Sequence, residues 1–515
     1  MAGLYPRRVK GFRDIDPKLN ALRWHIINSA TRVYKRYGFE HWDTPVLEYA
    51  ELIGKYLPES GEVAEGIYSF RNPEEEPVYD EKGKEVRDEG NNVVMDRHYL
   101  AMRYDLTAPL ARLYSEMIWD RFIHNQIKEG KAPLLRRYQY GPVYRFEAKL
   151  DPGRFREFWQ LDFDTVGADD VSVDAENVMI LSDALEEIGI ERGKYLVKIN
   201  NRKLVKGFLQ SIGINQEALE QDVLRIVDKA DKIGFDGVAM ELGKGRTDDS
   251  GAFIAGLGLE KEKVDLIINF LNGFESNSRK DVLSVLENMN IDNDTYKEGL
   301  DELRKIDEIL ENLGYLDDRA VFDPSMIRGM GYYTGPIFEV EYLGTYKDAK
   351  GRKRRIGSIC GGGRYDGLVE RILGIKVPAT GASIGVDRLA EVLTLTGFEI
   401  PLEGPVTVIV FDDNIMTQYQ KIAYDLRKEG IETEVYYGNR RGLKQQLQYA
   451  DKKNSPVAIL LGEDELAKGV ATVRNLKLGN ELAATIKDKN EWKQKVQTEV
   501  KLDELTQYVK KLLNK

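Results

Sequence analysis

The sequence predicts a multidomain chain of mixed α+β and α/β class, and three observations lead to this prediction. With 515 residues the chain is too long for one hydrophobic core, so two to four domains are expected. Strand-like segments with glycine-rich turns stand on both sides of a stretch at 203–315, where apolar residues recur at three- and four-residue spacing. Strand and helix patterns then alternate from about residue 401. We therefore predict a core at 1–202 and 316–400, a helical insertion at 203–315 and a C-terminal α/β domain at 401–515.

The composition is that of an ordinary globular protein and excludes several kinds of chemistry. Hydrophobic residues make up 42% and charged residues 31% of the chain. No apolar run reaches the roughly 20 residues of a membrane span, and the N-terminus has no secretory pattern, so we expect a cytoplasmic protein without a membrane partner. A single cysteine and four histidines, at no metal-ligand spacing, give little support to zinc sites or to Cys-His catalysis.

The net charge of -11 does not exclude a nucleic-acid partner, because binding depends on where the charges lie. The segment 136–156 is locally basic, with two acidic residues, Glu147 and Asp151, against Arg136, Arg137, Arg145, Lys149, Arg154 and Arg156. Such a tract can hold phosphates, or it can be a solvated charged loop.

The first strong element is a helix at about 17–37. Asp16 is a good N-cap, Pro17 suits the first helical position, and Gly38 ends the pattern. An extended segment with Pro45 follows, which suits the edge of a sheet. This pair of elements could form a dimer surface or pack in the ordinary way.

The C-terminal segment opens with VTVIVF, a buried strand, followed by an amphipathic helix that Gly430 closes. Two further strand patterns and a second helix near 441–453 follow. The alternation predicts a largely parallel sheet with a terminal helix at about 502–514.

The most informative segment is GPVYRFEAKLDPGRFREFWQLDFDTVG, residues 141–167. Its turn residues predict a strand, a turn and a second strand, and Arg145 and Glu147 would lie on the same face of the first. A cation, an aromatic residue and several carboxylates then meet in one hairpin. This arrangement suits a site for an anion and a flat ring, but a surface hairpin with cross-strand ion pairs has the same pattern.

This segment resembles motif 2 of the class II aminoacyl-tRNA synthetases, and other motifs follow in order. The helix at 17–37 with Pro45 resembles motif 1, and GASIGVDRL at 381–389 resembles motif 3. RYDLTAPLAR at 103–112, MIRGMGYYTGPIFEV at 326–340 and CGGGRYDGL at 360–368 resemble the histidyl-tRNA synthetases within that class. The resemblance implies an antiparallel-sheet catalytic core, a helical insertion closing over the tRNA acceptor arm, and a C-terminal anticodon-binding domain.

The resemblance also implies an ATP site. Arg145 would hold the α-phosphate, where a fork of always-charged donors suits the oxyanion. Glu147 would meet the adenine edge, Phe158 would stack on the ring, and Arg388 would cover the outer phosphates and the other face of the adenine. Mg²⁺ is implied with the triphosphate, and no protein side chain is assigned to it.

A histidine pocket is implied beside the ATP site. Asp105, Thr107 and Gln160 would receive the α-amino group, Asp164 and Tyr333 would each meet one nitrogen of the imidazole, and Tyr365 would line the same pocket. A partner for each ring nitrogen would reject analogues that lack them. Arg328, in RGMGYYTG, would reach the α-phosphate opposite Arg145 and stabilise the transition state.

The chain departs from the family pattern at three positions. Gly331 stands where an acidic residue is frequent, and Asp105 and Asp164 stand where glutamates are frequent. The shorter carboxylates keep the charge and reach less far. The basic run at 352–355 has no implied role; we interpret it as a solvated hairpin tip, and a contact to the tRNA backbone is the alternative.

The function implied is activation of L-histidine with ATP and its transfer to the 3′ end of its tRNA by a homodimer. The alternative is a catalytically silent relative that regulates histidine biosynthesis by binding the ATP phosphoribosyltransferase. Such a subunit would be expected to lack the Arg328 segment and the anticodon-binding domain. A class II synthetase for threonine, proline or glycine, and a plain RNA-binding module, are further alternatives that fit the motifs less well.

Overall fold

The computed structural model describes most of the chain, and its residues fall into two compact units, Met1–Glu399 and Ile400–Lys515. The described residues are 5–54, 66–80, 83–124, 126–127, 131–146, 155–248, 251–272, 274, 278–327, 333–347, 351–400, 402–438, 442–483, 485–486 and 488–514. None of the described helices is long and apolar enough to cross a membrane.

The first unit contains helices α1 to α12 and strands β1 to β15. Its helices are α1 Pro17–Arg36, α2 Ala50–Gly54, α3 Thr107–Ile123, α4 Ser172–Ile188, α5 Arg202–Ser211, α6 Glu217–Val227, α7 Ala230–Leu242, α8 Lys261–Asn272, α9 Arg279–Asn288, α10 Asp294–Asn312, α11 Glu370–Leu373 and α12 Val386–Leu395. Its strands are β1 Glu40–His41, β2 Leu47–Tyr49, β3 Ser69–Arg71, β4 Glu76–Pro77, β5 Met95–Asp96, β6 Tyr99–Met102, β7 Leu135–Tyr144, β8 Glu157–Val166, β9 Tyr195–Asn201, β10 Gly245–Thr247, β11 Phe253–Ala255, β12 Ala320–Phe322, β13 Pro336–Lys347, β14 Lys353–Arg364 and β15 Ala379–Gly385.

The main sheet of this unit has eight strands in the order β1-β7-β8-β15-β14-β13-β9-β12. The outermost pairs, β1 with β7 and β9 with β12, are parallel, and every pair between them is antiparallel. The order brings β8 beside β15, so residues about two hundred positions apart become direct neighbours, as Asp164 does with Gly381. This sheet confirms the predicted antiparallel core.

Helix α1 begins and ends where the sequence predicts, because local capping determines its ends. The Asp16 side chain accepts a hydrogen bond from Leu19 N at 2.8 Å, and Pro17 opens the helix. Tyr37 caps its C-terminus and Gly38 follows in the left-handed region at φ 81°. Its apolar face packs against α4 and α12.

The segment between β9 and β12 is mainly helical, as predicted, and holds α5 to α10. A short hairpin of β10 and β11, which the sequence analysis did not predict, interrupts the helices. Phe208 and Phe270 stack with their ring centroids 4.2 Å apart. Arg279 is buried and donates to Asp307 Oδ1 at 2.6 Å. The stretch 71–98 includes the hairpin of β4 and β5, extended by isolated bridges.

The second unit is a separate α/β domain. Its helices are α13 Met416–Lys428, α14 Leu443–Lys452, α15 Glu463–Ala467, α16 Leu476–Leu482, α17 Lys489–Val496 and α18 Leu505–Leu512, and its strands are β16 Val406–Val408, β17 Thr433–Val435, β18 Val457–Leu460, β19 Val470–Asn475 and β20 Gln497–Lys501.

Its five-stranded sheet has the order β17-β16-β18-β19-β20, and the apolar side chains of β16 and β18 are fully buried. The pairs of β16 with β17 and with β18 are parallel, while β18 with β19 and β19 with β20 are antiparallel. The prediction of a largely parallel sheet is therefore wrong for half of its pairings. β19 runs antiparallel to β18 after the short helix α15, and β20 runs antiparallel to β19 although α16 and α17 lie between them.

Candidate active site

A cavity of about 470 Å³ opens on one face of the main sheet in the first unit. Strands β8, β13, β14 and β15 form its wall, and the N-terminal ends of α3 and α12 border it. Nine of the eleven residues predicted for the site line this cavity, namely Asp105, Thr107, Arg145, Phe158, Gln160, Asp164, Tyr333, Tyr365 and Arg388. The other two, Glu147 and Arg328, lie outside the described residues.

Strand β8 supplies the acidic wall. Successive side chains of a strand alternate between its faces, so Gln160, Asp162 and Asp164 all point into the cavity, and all three are buried. Gln160 Nε2 donates to Ser383 Oγ at 2.8 Å. Its Oε1 has no hydrogen-bond partner among the described residues. The free amide oxygen can accept a hydrogen bond from a ligand.

Asp164 is held from two sides. The phenol of Tyr365 donates to its Oδ1, and its Oδ2 lies 3.1 Å from Arg137 Nη2 in an ion pair. Burial nevertheless raises the pKa of the Asp164 carboxyl, while Arg137 and the Tyr365 hydrogen bond oppose that rise. The carboxylate is thus oriented, and it can accept an N–H from a ring in the cavity.

Asp105 and Thr107 stand at the start of α3. Asp105 Oδ1 accepts from the backbone N–H groups of Thr107 at 3.0 Å and of Ala108 at 2.9 Å. The side chain therefore satisfies two amides of the first helical turn, and its second oxygen, Oδ2, is left for a ligand.

Tyr333 and Tyr365 lie together at the same end of the cavity, with ring centroids 6.3 Å apart. The glycines of β14 and β15 carry no side chains, so a ligand can approach the backbone of these strands at this end. A Cβ on Gly381 would stand 2.3 Å from Asp164 Oδ1 and 2.4 Å from Phe163 O, closer than atoms can pack. Gly381 is therefore required beside Asp164.

The other end of the cavity carries two guanidinium groups and an aromatic ring. Arg145 lies over the rings of Tyr104, at 4.3 Å from the centroid, and Phe158, at 5.2 Å. Its Nε donates to Tyr104 O at 3.1 Å. Arg388 Nη2 donates to Ile356 O at 2.8 Å. This end suits a polyanion joined to a flat ring.

Arg145 was expected on a strand, and β7 ends one residue earlier, at Tyr144. The pairing with the second arm nevertheless continues, because Arg145 N donates to Arg156 O at 2.9 Å. The hairpin thus holds the arginine at the cavity rim.

The helix that carries Arg388 is anchored by its neighbour Asp387, which is only 2% exposed. Asp387 Oδ1 accepts from Arg13 at 3.0 Å and from Arg23 of α1 at 2.7 Å. Its Oδ2 accepts from Trp159 N of β8 at 2.6 Å. One carboxylate therefore joins α12 to α1 and to the acidic wall.

Sequence reasoning missed four polar residues that line the cavity: Asp162, Glu339, Ser358 and Ser383. The signal for Asp162 was present, because it lies two residues from both Gln160 and Asp164 and must share their face. Nothing local identifies Ser383, which reaches the site through the β15–β8 register, where it pairs with Asp162. Among the described residues no group of three or more His, Cys, Asp or Glu side chains could hold a metal ion.

A mainly antiparallel sheet, an arginine-bearing hairpin and a helix whose first turn carries a second arginine define a class II aminoacyl-tRNA synthetase core. Two family models match the sequence, and both agree with this architecture. Residues 93–389 match the histidyl-tRNA synthetase family, and residues 405–512 match the anticodon binding domain.

Relatives match over nearly the whole chain. A histidine–tRNA ligase of Paracoccus denitrificans is 44% identical over 98% of this chain and 97% of its own length. Another, of Ruegeria pomeroyi, is 42% identical over 98% of this chain and 96% of its own length. The crystal structure of histidyl-tRNA synthetase from Nostoc sp. PCC 7120 superposes with a TM-score of 0.69 at 27% identity, covering 99% of this chain and 100% of that one. The chain belongs to the histidyl-tRNA synthetase family.

Proposed function

We propose that this chain activates L-histidine with ATP and transfers the histidine to the 3′ end of its tRNA. The observation that supports this most directly is the polarity of the cavity. Carboxylates, an amide and two tyrosines occupy one end, and two guanidiniums with an aromatic ring occupy the other. An amino acid and a nucleotide bound at these ends would meet between them.

At the nucleotide end, Arg145 would hold the α-phosphate and Phe158 would stack on the adenine, with Arg388 over the outer phosphates. The carboxylate of the amino acid attacks the α-phosphorus, and pyrophosphate leaves. Arg145 then faces the charge that builds on the phosphorus oxygens, so catalysis rests on positioning and electrostatics. Glu147 would bind the adenine edge by the same resemblance.

Mg²⁺ would neutralise the triphosphate and draw electron density from the attacked phosphorus. Such an ion keeps mostly phosphate and water oxygens as ligands and needs one or two carboxylates. The cavity offers Glu339 as a carboxylate outside the acidic wall of β8, which fits this requirement.

At the amino-acid end, Asp164 and Tyr333 would bracket the imidazole, and Tyr365 would hold Asp164 in place. Asp105, Thr107 and Gln160 would receive the α-amino group. An analogue without ring nitrogens would leave the buried Asp164 carboxylate without its N–H partner, which is the physical basis for selecting histidine.

Arg328 would contact the α-phosphate opposite Arg145. We expect Arg328→Ala to lower the rate of adenylate formation at least about a hundredfold, as the loss of an oxyanion donor does. Pyrophosphate exchange measures this rate without tRNA. A variant with near-normal exchange would remove Arg328 from the mechanism.

The remaining parts of the proposal concern partners. The unit at 400–515, which matches the anticodon binding domain, would bind the tRNA anticodon, and the helices at 203–315 would close over the acceptor arm. The chain would act as a homodimer through α1 and the extended segment after it, in the cytoplasm. Sedimentation equilibrium tests the dimer directly.

The proposal is tested by exchange between ATP and labelled pyrophosphate, with each of the twenty amino acids and no tRNA. Exchange with histidine alone supports both the reaction and its specificity. Exchange with another amino acid would overturn the specificity. If the folded protein with Mg²⁺ catalyses no exchange with any amino acid, the regulatory alternative would be favoured instead. The full-length match to histidine–tRNA ligases argues against that alternative.

A further inference from the structure

Asp162 stands in the acidic wall between two residues to which the family resemblance gives roles, and it has none itself. It lies on β8, faces the cavity and is 3% exposed. Its Oδ1 has no hydrogen-bond partner among the described residues. A buried carboxylate oxygen without a donor is costly, so this oxygen is placed to accept a hydrogen bond from a ligand.

The charges around the cavity favour a cationic ligand at this end. Four carboxylates line the cavity, Asp105, Asp162, Asp164 and Glu339, and its two guanidiniums, Arg145 and Arg388, lie at the other end. Behind the wall, Arg137 pairs with Asp164, and Arg103 donates to the backbone oxygens of Thr44 and Pro142. Neither buried arginine makes a described ion pair with Asp162.

The α-ammonium group of an amino acid needs three acceptors. Asp105 cannot supply both of its oxygens, because Oδ1 already accepts two helix amides. Gln160 Oε1 and Asp162 Oδ1 are both buried and have no partner among the described residues. Together with Asp105 Oδ2 they make three acceptors for three N–H donors, and the Thr107 hydroxyl, which also lines the cavity, becomes an additional neutral partner of the ammonium.

We propose that Asp162 is a further substrate-binding residue, whose carboxylate accepts a hydrogen bond from the α-ammonium group of bound histidine. The inference rests on the proposed function, since it assigns a second charged partner within the same pocket. It also reduces the role of Asp105, which becomes as much a helix cap as a ligand.

The ionisation of Asp162 supports this assignment and provides a readout. Burial and the neighbouring Asp164 raise the pKa of Asp162 to about 7. The ionisable and hydrogen-bonding groups that face it are Asp105, Asp164, Arg137, Ser383, Arg103 and Tyr34. A bound ammonium stabilises the ionised carboxylate, so binding drives a proton off Asp162, and affinity for histidine rises with pH through about 7.

The test compares Asp162→Asn with wild type in histidine-dependent pyrophosphate exchange between pH 5.5 and 8.5. We expect the KM for histidine at pH 8 to rise roughly 10- to 100-fold, as loss of a hydrogen bond to a charged group does, while the KM for ATP stays the same. The pH dependence of the histidine KM near 7 should flatten in the variant. The protonation of free histidine is common to both proteins and cancels in the comparison.

Asp307→Asn is the matched control, because Asp307 is another buried aspartate, bound to Arg279 away from the cavity. It should leave both KM values and the pH profile unchanged. If wild type exchanges with histidine and Asp162→Asn has the same KM and pH profile, the inference is wrong and the proposed function stands. If wild type does not exchange, the proposed function itself fails.

A second measurement on wild type covers the case in which Asp162→Asn does not fold. Calorimetric titrations in two buffers of different ionisation enthalpy give the protons released at pH 7 on binding histidine and on binding 3-(imidazol-4-yl)propionate, which lacks the ammonium; the proton change of each ligand's own imidazole, obtained from titrations at several pH values, is subtracted before the two are compared. Greater release with histidine supports the proposal. Equal release, or net uptake with histidine, overturns it.

Discussion

The phenol of Tyr365 orients the carboxylate that would recognise the imidazole, and its removal gives a measurable prediction. Tyr365 donates to Asp164 Oδ1, and both side chains are buried. Tyr365→Phe deletes one oxygen and leaves Asp164 with Arg137 alone. A hydrogen bond to a charged group contributes about 1.5–3 kcal/mol. At 1.4 kcal/mol for each factor of ten, the KM for histidine should rise roughly 10- to 150-fold.

The pH dependence of this effect has a defined sign. The Tyr365 hydrogen bond lowers the pKa of Asp164 against the rise caused by burial, so the pKa of Asp164 is higher still in the variant. A protonated Asp164 cannot accept the ring N–H on the same oxygen. The defect in histidine activation should therefore grow as the pH falls.

The assay is histidine-dependent pyrophosphate exchange, with Tyr296→Phe as the matched control. Tyr296 is also buried, and its hydroxyl donates to Leu286 O at 2.9 Å in the helical segment, away from the cavity. Both variants lose a buried hydrogen bond, and Tyr296→Phe should lower thermal stability without a change in the histidine KM. An unchanged KM in Tyr365→Phe, at saturating ATP and at every pH, would refute the role assigned to the phenol.

Three further outcomes are expected. Asp387→Ala leaves the buried Arg23 and the partly buried Arg13 without their shared acceptor and should destabilise the first unit by about 3–5 kcal/mol; a urea midpoint equal to that of wild type would contradict this. Gly381→Ala places a Cβ against Asp164. It should lower the stability by about 1–3 kcal/mol and raise the histidine KM. A KM equal to that of wild type would show that β15 moves far enough to accommodate the methyl group. Neutralising the exposed basic run at 352–355 should leave the salt dependence of tRNA affinity unchanged, and a slope lower by roughly one for each lost phosphate contact would assign the run to tRNA binding instead.

The sequence allowed the family, the fold class and most of the cavity to be predicted, because these depend on local patterns. Asp16, Pro17 and Gly38 place the ends of α1 by capping chemistry that a few adjacent residues determine. The alternation in QLDFD places Gln160 and Asp164 on one face. The resemblance to histidyl-tRNA synthetases is confirmed by the family models and by the full-length relatives, whereas the roles of single residues and the limits of the domains stay predictions.

The C-terminal sheet shows where local patterns are insufficient. Alternating strands and helices predicted parallel pairings, which β16, β17 and β18 make. The direction of β19 and β20 depends on which strand edge is free and how the chain reaches it, and no single segment contains that information. The β10–β11 hairpin was missed for a similar reason, since three-residue strands have too few residues to show a period.

The chain's residues by themselves determined which side chains share a face and which chemistry they can perform. Only the tertiary structure decided how those side chains are paired and charged. It places the Tyr365 hydroxyl in a hydrogen bond with Asp164, and it brings Arg13 and Arg23 to the carboxylate of Asp387. It also buried Asp162 beside Asp164 with an oxygen left unbonded. Burial and electrostatic energy depend on distances between atoms, and strand pairing across two hundred residues fixes those distances in a way that no local pattern encodes.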